Sequence, residues 1–180
     1  MADPADLVRS IVRVRQIRAF TDEPPSEAQL AAILDAARWT GSSGNSQPWR
    51  FVLIQDLATI RAIAEAGLTQ TRPLLTAPVA IAVVLPADDR EVSRAYDEGR
   101  VVERIMIAAE LVGLRSGITW IRRDVAPVVA AALALPEGWI VRTIMAIGHP
   151  TDAALAPKAE PGKARLPRDQ VVMHERWRSE

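Results

Sequence analysis

Hydroxyls and carboxamides crowd together in one stretch, Gly41-Ser42-Ser43-Gly44-Asn45-Ser46-Gln47-Pro48-Trp49-Arg50-Phe51. Carboxamides both donate and accept hydrogen bonds. That suits a flat heterocycle with alternating N–H and C=O edges, such as a flavin pyrimidine ring. The same composition also makes a turn whose Asn and Ser bond their own backbone. Basic residues form two further pairs. Arg15 and Arg18 follow a first helix, and Lys163 and Arg165 lie in a late loop, where alternation along an extended chain aims both to one side. Jointly they could chelate a dianion through charge-assisted bonds of about 1.5–3 kcal/mol each; separately, each pair reads as a solvated basic face.

Other chemistries find no support. Ser43 does not sit in a nucleophile elbow, and a histidine base is available only at His149 or His174, far along the chain. Those two histidines lack metal-ligand spacing, and Asp88-Asp89 with Glu91 lacks the glycine and alternation of a calcium loop. Neither common glycine-rich phosphate loop is present.

The elements that must position these residues read as follows. Asp3-Pro4 starts a helix with Leu7, Ile11 and Val14 at helical spacing. Ser26 and Gln29 form a capping box for a helix with Leu30, Ile33, Leu34 and Ala37 on one stripe. A strand is expected over Trp49–Gln55, a short helix from Asp56 to near Gly67, and a buried strand over Val79–Leu85. Val101, Val102, Ile105, Met106, Ala109 and Val112 make a central helix, apolar on more than one side. A strand over Ile118–Ile121, a helix from Asp124 to Leu135 and a strand over Trp139–Gly148 follow. Pro150 to Pro167 is a long loop, and Gln170–His174 a final short strand that must dock onto some sheet.

Composition bounds the rest. The chain has 180 residues, which suggests a single domain over 1–180 that needs neither metal nor disulfide. With no cysteine, disulfides, thiolate metal sites and a cysteine nucleophile are excluded. The 22 basic and 22 acidic residues balance, which argues against bulk attraction to nucleic acid or an anionic membrane. The acidic start and the proline-interrupted apolar run from Leu74 to Leu85 resemble neither a secretory leader nor a membrane span, so a cytoplasmic protein is expected.

Four segments together resemble the FMN-dependent nitroreductase family. Arg15-Gln16-Ile17-Arg18-Ala19-Phe20 is similar to the family's R-R-S-x-R-x-F opening, and Ser42 to Phe51 to its P-S-x-x-N-x-Q-P-W-x-F. Gly113 to Ile121 loosely matches G-L-G-x-x-W; Ile147-Gly148-His149-Pro150 with Lys163-Ala164-Arg165 resembles I-G-Y-P followed by K-x-R. The resemblance implies an α+β, three-layer α/β/α fold with a mixed, mainly antiparallel sheet. It also implies an intertwined homodimer with C-terminal strand exchange and FMN at the interface. Arg15, Gln16 and Arg18 would line the ribityl-phosphate end with Lys163 and Arg165. Ser42, Ser43, Asn45 and Gln47 would approach the flavin held mainly by the other subunit. Gln70 would lie near the ring's polar edge, and Thr119 and Trp120 would border the isoalloxazine.

The implied activity is hydride transfer from NAD(P)H through FMN to a nitroaromatic, quinone or similar small acceptor, with ping-pong kinetics. Catalysis would rest on the flavin, with no side chain as an evident general acid. The alternatives are a flavin-site enzyme with other chemistry (dehalogenation, flavin fragmentation or deazaflavin use) and a non-catalytic flavin-binding dimer. Departures from the family pattern fall at Val14, Gln16, Ser42, Arg115 and His149. Of these, Arg115 places a guanidinium where it could clash with or steer a substrate.

Overall fold

The computed structural model describes residues 3–157, 159 and 165–177. Asp3 accepts a hydrogen bond from the Ala5 amide and starts α1 (Pro4–Leu7), which Val8 separates from α2 (Arg9–Arg13). Neither turn buries a residue. The capping box of Ser26 and Gln29 is formed as read, and α3 (Glu27–Arg38) buries Leu30, Ile33 and Ala37. β1 (Arg50–Ile54) precedes α4 (Leu57–Ala66), which Asp56 caps by accepting from the Thr59 hydroxyl and amide. Then come β2 (Val79–Pro86), α5 (Glu91–Leu111), β3 (Arg115–Trp120), α6 (Ala126–Ala132), β4 (Trp139–Gly148), α7 (Asp152–Leu155) and α8 (Arg168–Val171).

The sheet order is β1-β2-β4-β3, and every neighbouring pair is antiparallel. β2 is central, and its alternation feeds two cores. Ala80, Ala82 and Val84 face the layer of α4, α6 and the 72–75 turn; Ile81, Val83 and Leu85 face α3 and α5. The three-layer expectation is thus met, with one buried cluster on each face. A bulge opposite Val83/Val84 gives β4 one extra residue, Arg142, because Thr143 pairs with Val83 and Val141 with Val84. Such a bulge re-aims a side chain, and the Arg142 guanidinium reaches Glu98 on α5 at 3.0 Å.

Two expectations are corrected. The described sheet is wholly antiparallel, not mixed. The tail is not a strand over Gln170–His174: Arg168–Val171 forms a helical turn behind Pro167, with Asp169 in its first turn, and no described strand lies beside it to supply a ladder. The central helix is longer than its apolar run: α5 begins at Glu91, ten residues before that run starts at Val101. Its first half continues the buried stripe with charged residues, Arg94, Asp97 and Glu98, which stay inside because they are paired or hydrogen-bonded.

Candidate functional site

The basic segment 14–18 crosses the sheet's end. The Ile17 amide donates to the Ser116 carbonyl at 2.9 Å, and the Ile17 side chain is buried. Further on, Phe20 bridges Pro150, and Thr21 donates to the His149 carbonyl. Gly117 makes the crossing possible. A Cβ there would lie 2.2 Å from the Ile17 carbonyl oxygen and 3.0 Å from Pro73 Cβ. The loosely matching glycine of the sequence therefore has a steric reason.

Arg15 does not project freely as a phosphate ligand. Its guanidinium donates to the carbonyls of Ala154 and Ala156 at 3.3 Å and also to that of Leu155, closing the C-terminal end of α7. This contact ties the 15–18 segment to residues 154–156 of the chain. Gln16 and Arg18, on either side of Ile17, are exposed; Arg165 is exposed too, and Lys163 lies outside the described residues. A guanidinium has five N–H donors, so Arg15 can serve α7 and a further anion together.

The carboxamide loop sits elsewhere, on α5. Its backbone is left-handed at Gly44 (φ 58°), Asn45 (52°) and Gln47 (45°). Two such non-glycine residues so close together are uncommon and point to a constrained, functional loop. The Ser42 hydroxyl accepts from the Gln47 amide at 2.8 Å, so this serine closes the turn on itself, as the alternative turn reading allowed. Ser43, Asn45 and Gln47 are exposed. The Ser43 amide donates to Asp97 Oδ1 at 2.9 Å, and Arg94 Nη1 donates to Ser46 Oγ at 3.3 Å. Arg94 in turn grips Asp88 through Nη2 at 2.6 Å. That bond raises the Arg94 pKa, and the charge of Asp97 adds to it; the same bond holds the Asp88 carboxyl below its ordinary value.

The remaining expected residues divide. Trp120 stands 60% exposed at the end of edge strand β3, near Glu98, Gly99 and Arg142 around a cavity of about 300 Å³. Thr119 is the opposite: fully buried, its hydroxyl donating to the Ile144 carbonyl at 2.6 Å. Its side chain faces the core because residues alternate along β3, which leaves only its backbone and packing to border a ring. Gln70 is exposed, and its carbonyl oxygen accepts from Arg122 at 3.2 Å. Arg122 also pairs with Asp124, which raises the Arg122 pKa and lowers that of Asp124. Arg115 pairs with Glu110 at 3.0 Å.

Sequence reasoning missed Arg94, Asp97, Glu98 and Arg142. The signal was present in the spacing 94, 97/98, 101/102, 105, which extends one helical stripe through charged residues. Within one chain, segment 15–18 is anchored on β3 and α7, whereas loop 42–47 is anchored on α5.

The chain matches the model of the Nitroreductase family over residues 11–74, which include both the basic segment and the carboxamide loop. A protein of Archaeoglobus fulgidus named "Putative NADH dehydrogenase/NAD(P)H nitroreductase" is 29% identical over 157 residues, 82% of this chain and 87% of that protein. The 5,6-dimethylbenzimidazole synthase of Rhodospirillum rubrum is 28% identical over 176 residues, 81% of this chain and 82% of the synthase. Among solved structures, the NADPH:FMN oxidoreductase from Vibrio harveyi complexed with NAD+ shares the fold with a TM-score of 0.80. It is 26% identical, with 96% of this chain and 78% of that one covered.

Proposed function

The chain resembles the nitroreductase family in its motifs, in the family's sequence model and in fold, and from that premise we propose that it is an FMN-dependent oxidoreductase. It takes hydride from NAD(P)H and passes it to a small acceptor such as a nitroaromatic or quinone, in ping-pong order. The reading covers residues 1–180 as one FMN-binding domain, acting in the cytoplasm. The observation that carries it is the 42–47 loop: exposed carboxamides on a left-handed backbone, anchored to a buried helix.

The donor set fits the cofactor. Ser43, Asn45 and Gln47 offer the mixed donors and acceptors that a pyrimidine edge needs. Arg15, Gln16 and Arg18, with Lys163 and Arg165, hold the ribityl-phosphate end; each charge-assisted bond contributes about 1.5–3 kcal/mol. Ser42 contributes by closing the turn. Gln70 and Trp120 border the ring, and Thr119 acts only through the strand it shares with Trp120. Bound flavin supplies the hydride chemistry, and these residues orient it and neutralise its tail.

The protein works as a homodimer. Large apolar side chains are left uncovered on α1 and α2 (Leu7, Ile11, Val12), on α5 (Val92, Tyr96) and in the tail (Trp177). Patches of this kind mark association surfaces. A second copy covers them and brings its carboxamide loop to the first copy's basic segment. In that assembly the tail, helical at Arg168–Val171 and carrying the uncovered Trp177, crosses to the partner.

Purified protein is expected to be yellow, and NADH or NADPH should bleach it without oxygen. Arg15→Ala combined with Arg165→Ala should release the flavin. Undiminished FMN affinity in that variant, read by fluorescence titration, would refute the phosphate assignment. A second reading, flavin fragmentation, is favoured by the likeness to the R. rubrum synthase. It predicts that FMN is consumed in proportion to turnover, whereas the oxidoreductase leaves FMN constant.

A further inference from the structure

Asp97 is the most deeply buried acid among the described residues, at 1% exposure, and its Oδ2 has no hydrogen-bond partner among them. It occupies a stripe of α5 whose later positions, Val101, Ile105, Ala108 and Ala109, are apolar. An aliphatic side chain there would avoid the desolvation that a carboxylate suffers. What the acid does instead is local: Oδ1 accepts from the Ser43 amide at 2.9 Å. One helical turn earlier, Arg94 is also buried, and its guanidinium joins Asp88 on one side and Ser46 Oγ on the other. Both ends of the short turn from Ser43 to Ser46 are therefore tied to α5. Between those ties lie the left-handed residues Gly44 and Asn45, with Gln47 just beyond. A left-handed non-glycine backbone persists only where its surroundings over-determine it. The two buried ionic groups are those surroundings.

We propose that Asp97 and Arg94 are positioning residues, which preset the 42–47 loop so that Asn45 and Gln47 meet the flavin without a prior folding step. This rests on the flavin reading above. Neither residue touches the cofactor. Their effect reaches it through backbone geometry, so the loop's entropy is lost on folding rather than on binding.

The test compares Asp97→Ala, Asp97→Asn and Ser46→Ala with the wild type. Two readouts are taken: amide hydrogen exchange at Ser43 in flavin-free protein, and FMN dissociation constants by fluorescence titration. Asp97→Ala should speed Ser43 exchange and weaken FMN binding, each by about tenfold or more. Asp97→Asn keeps a carbonyl acceptor for the Ser43 amide and should stay within about threefold of wild type on both readouts. Ser46→Ala removes only the weaker tie from an exposed position; it should weaken FMN binding about two- to fivefold. Ser46→Ala decides the matter if Asp97→Ala does not fold.

Unchanged Ser43 exchange in Asp97→Ala would overturn the tie. Faster exchange with unchanged FMN affinity would overturn the positioning role while leaving the flavin reading intact. Wild-type protein that takes up no FMN would overturn the flavin reading, and this inference with it.

Discussion

Gly117→Ala perturbs the point where the basic segment rests on the sheet. The added methyl would sit 2.2 Å from the Ile17 carbonyl oxygen, where ordinary contact begins at 3.4 Å, so segment and strand must part by about 1.2 Å. Neither side yields cheaply. The oxygen belongs to backbone, and Pro73 closes the other flank at 3.0 Å. Overpacking of this kind costs about 1–3 kcal/mol. The parting also strains the Ile17-to-Ser116 hydrogen bond of 2.9 Å, whose loss adds about 1 kcal/mol. Urea unfolding should show a loss of about 2–4 kcal/mol, and the melting temperature should fall by about 4–16 °C for a chain of this size. Arg15 and Arg18 ride on the displaced segment, so FMN affinity should fall by at least about tenfold, the value of one charge-assisted bond. An unchanged urea midpoint would refute the steric argument. A lowered midpoint with full FMN affinity would refute the claim that this crossing positions the phosphate ligands.

Thr119→Val keeps the side chain's shape but removes its bond to the Ile144 carbonyl. Stability should fall by about 1–2 kcal/mol in urea, with FMN affinity within about twofold of wild type; a selective loss of flavin would restore Thr119 to the site. Asp88 has a folded pKa below its unfolded one, owing first to its bond with Arg94. Its stabilisation is therefore complete above about pH 4 and is lost as pH falls through the folded value. Asp88→Asn should flatten the acid limb of the melting curve below that pH, and an unaltered limb would refute the link. Tyr96→Glu places a charge on the uncovered face of α5 and should convert a dimer to monomers in sedimentation; wild-type sedimentation of this variant would refute that face as the interface.

Much of this protein is local in origin and was legible without coordinates. Ser26 and Gln29 signal a helix start because their bonds span only three residues. The apolar run of β2 signals a central strand because both of its faces must be dry. The motif residues around Arg15 and Asn45 could be picked out because residue type alone carries their donor chemistry. Tertiary structure decided what depends on distant partners. One charged stripe of the early half of α5 is buried because Arg94, Asp97 and Glu98 find Asp88, Ser43 and Arg142, none of them a helical neighbour. Arg142 meets Glu98 only because a bulge adds a residue to β4. Thr119 and Trp120, adjacent in sequence, part company because successive strand residues face opposite sides and only one side of β3 is covered at that point. The tail turns into a helix because a strand exists only beside another strand, and no described one adjoins it. Residue types reveal which chemistry is possible; burial and pairing across the chain determine which of those groups can perform it.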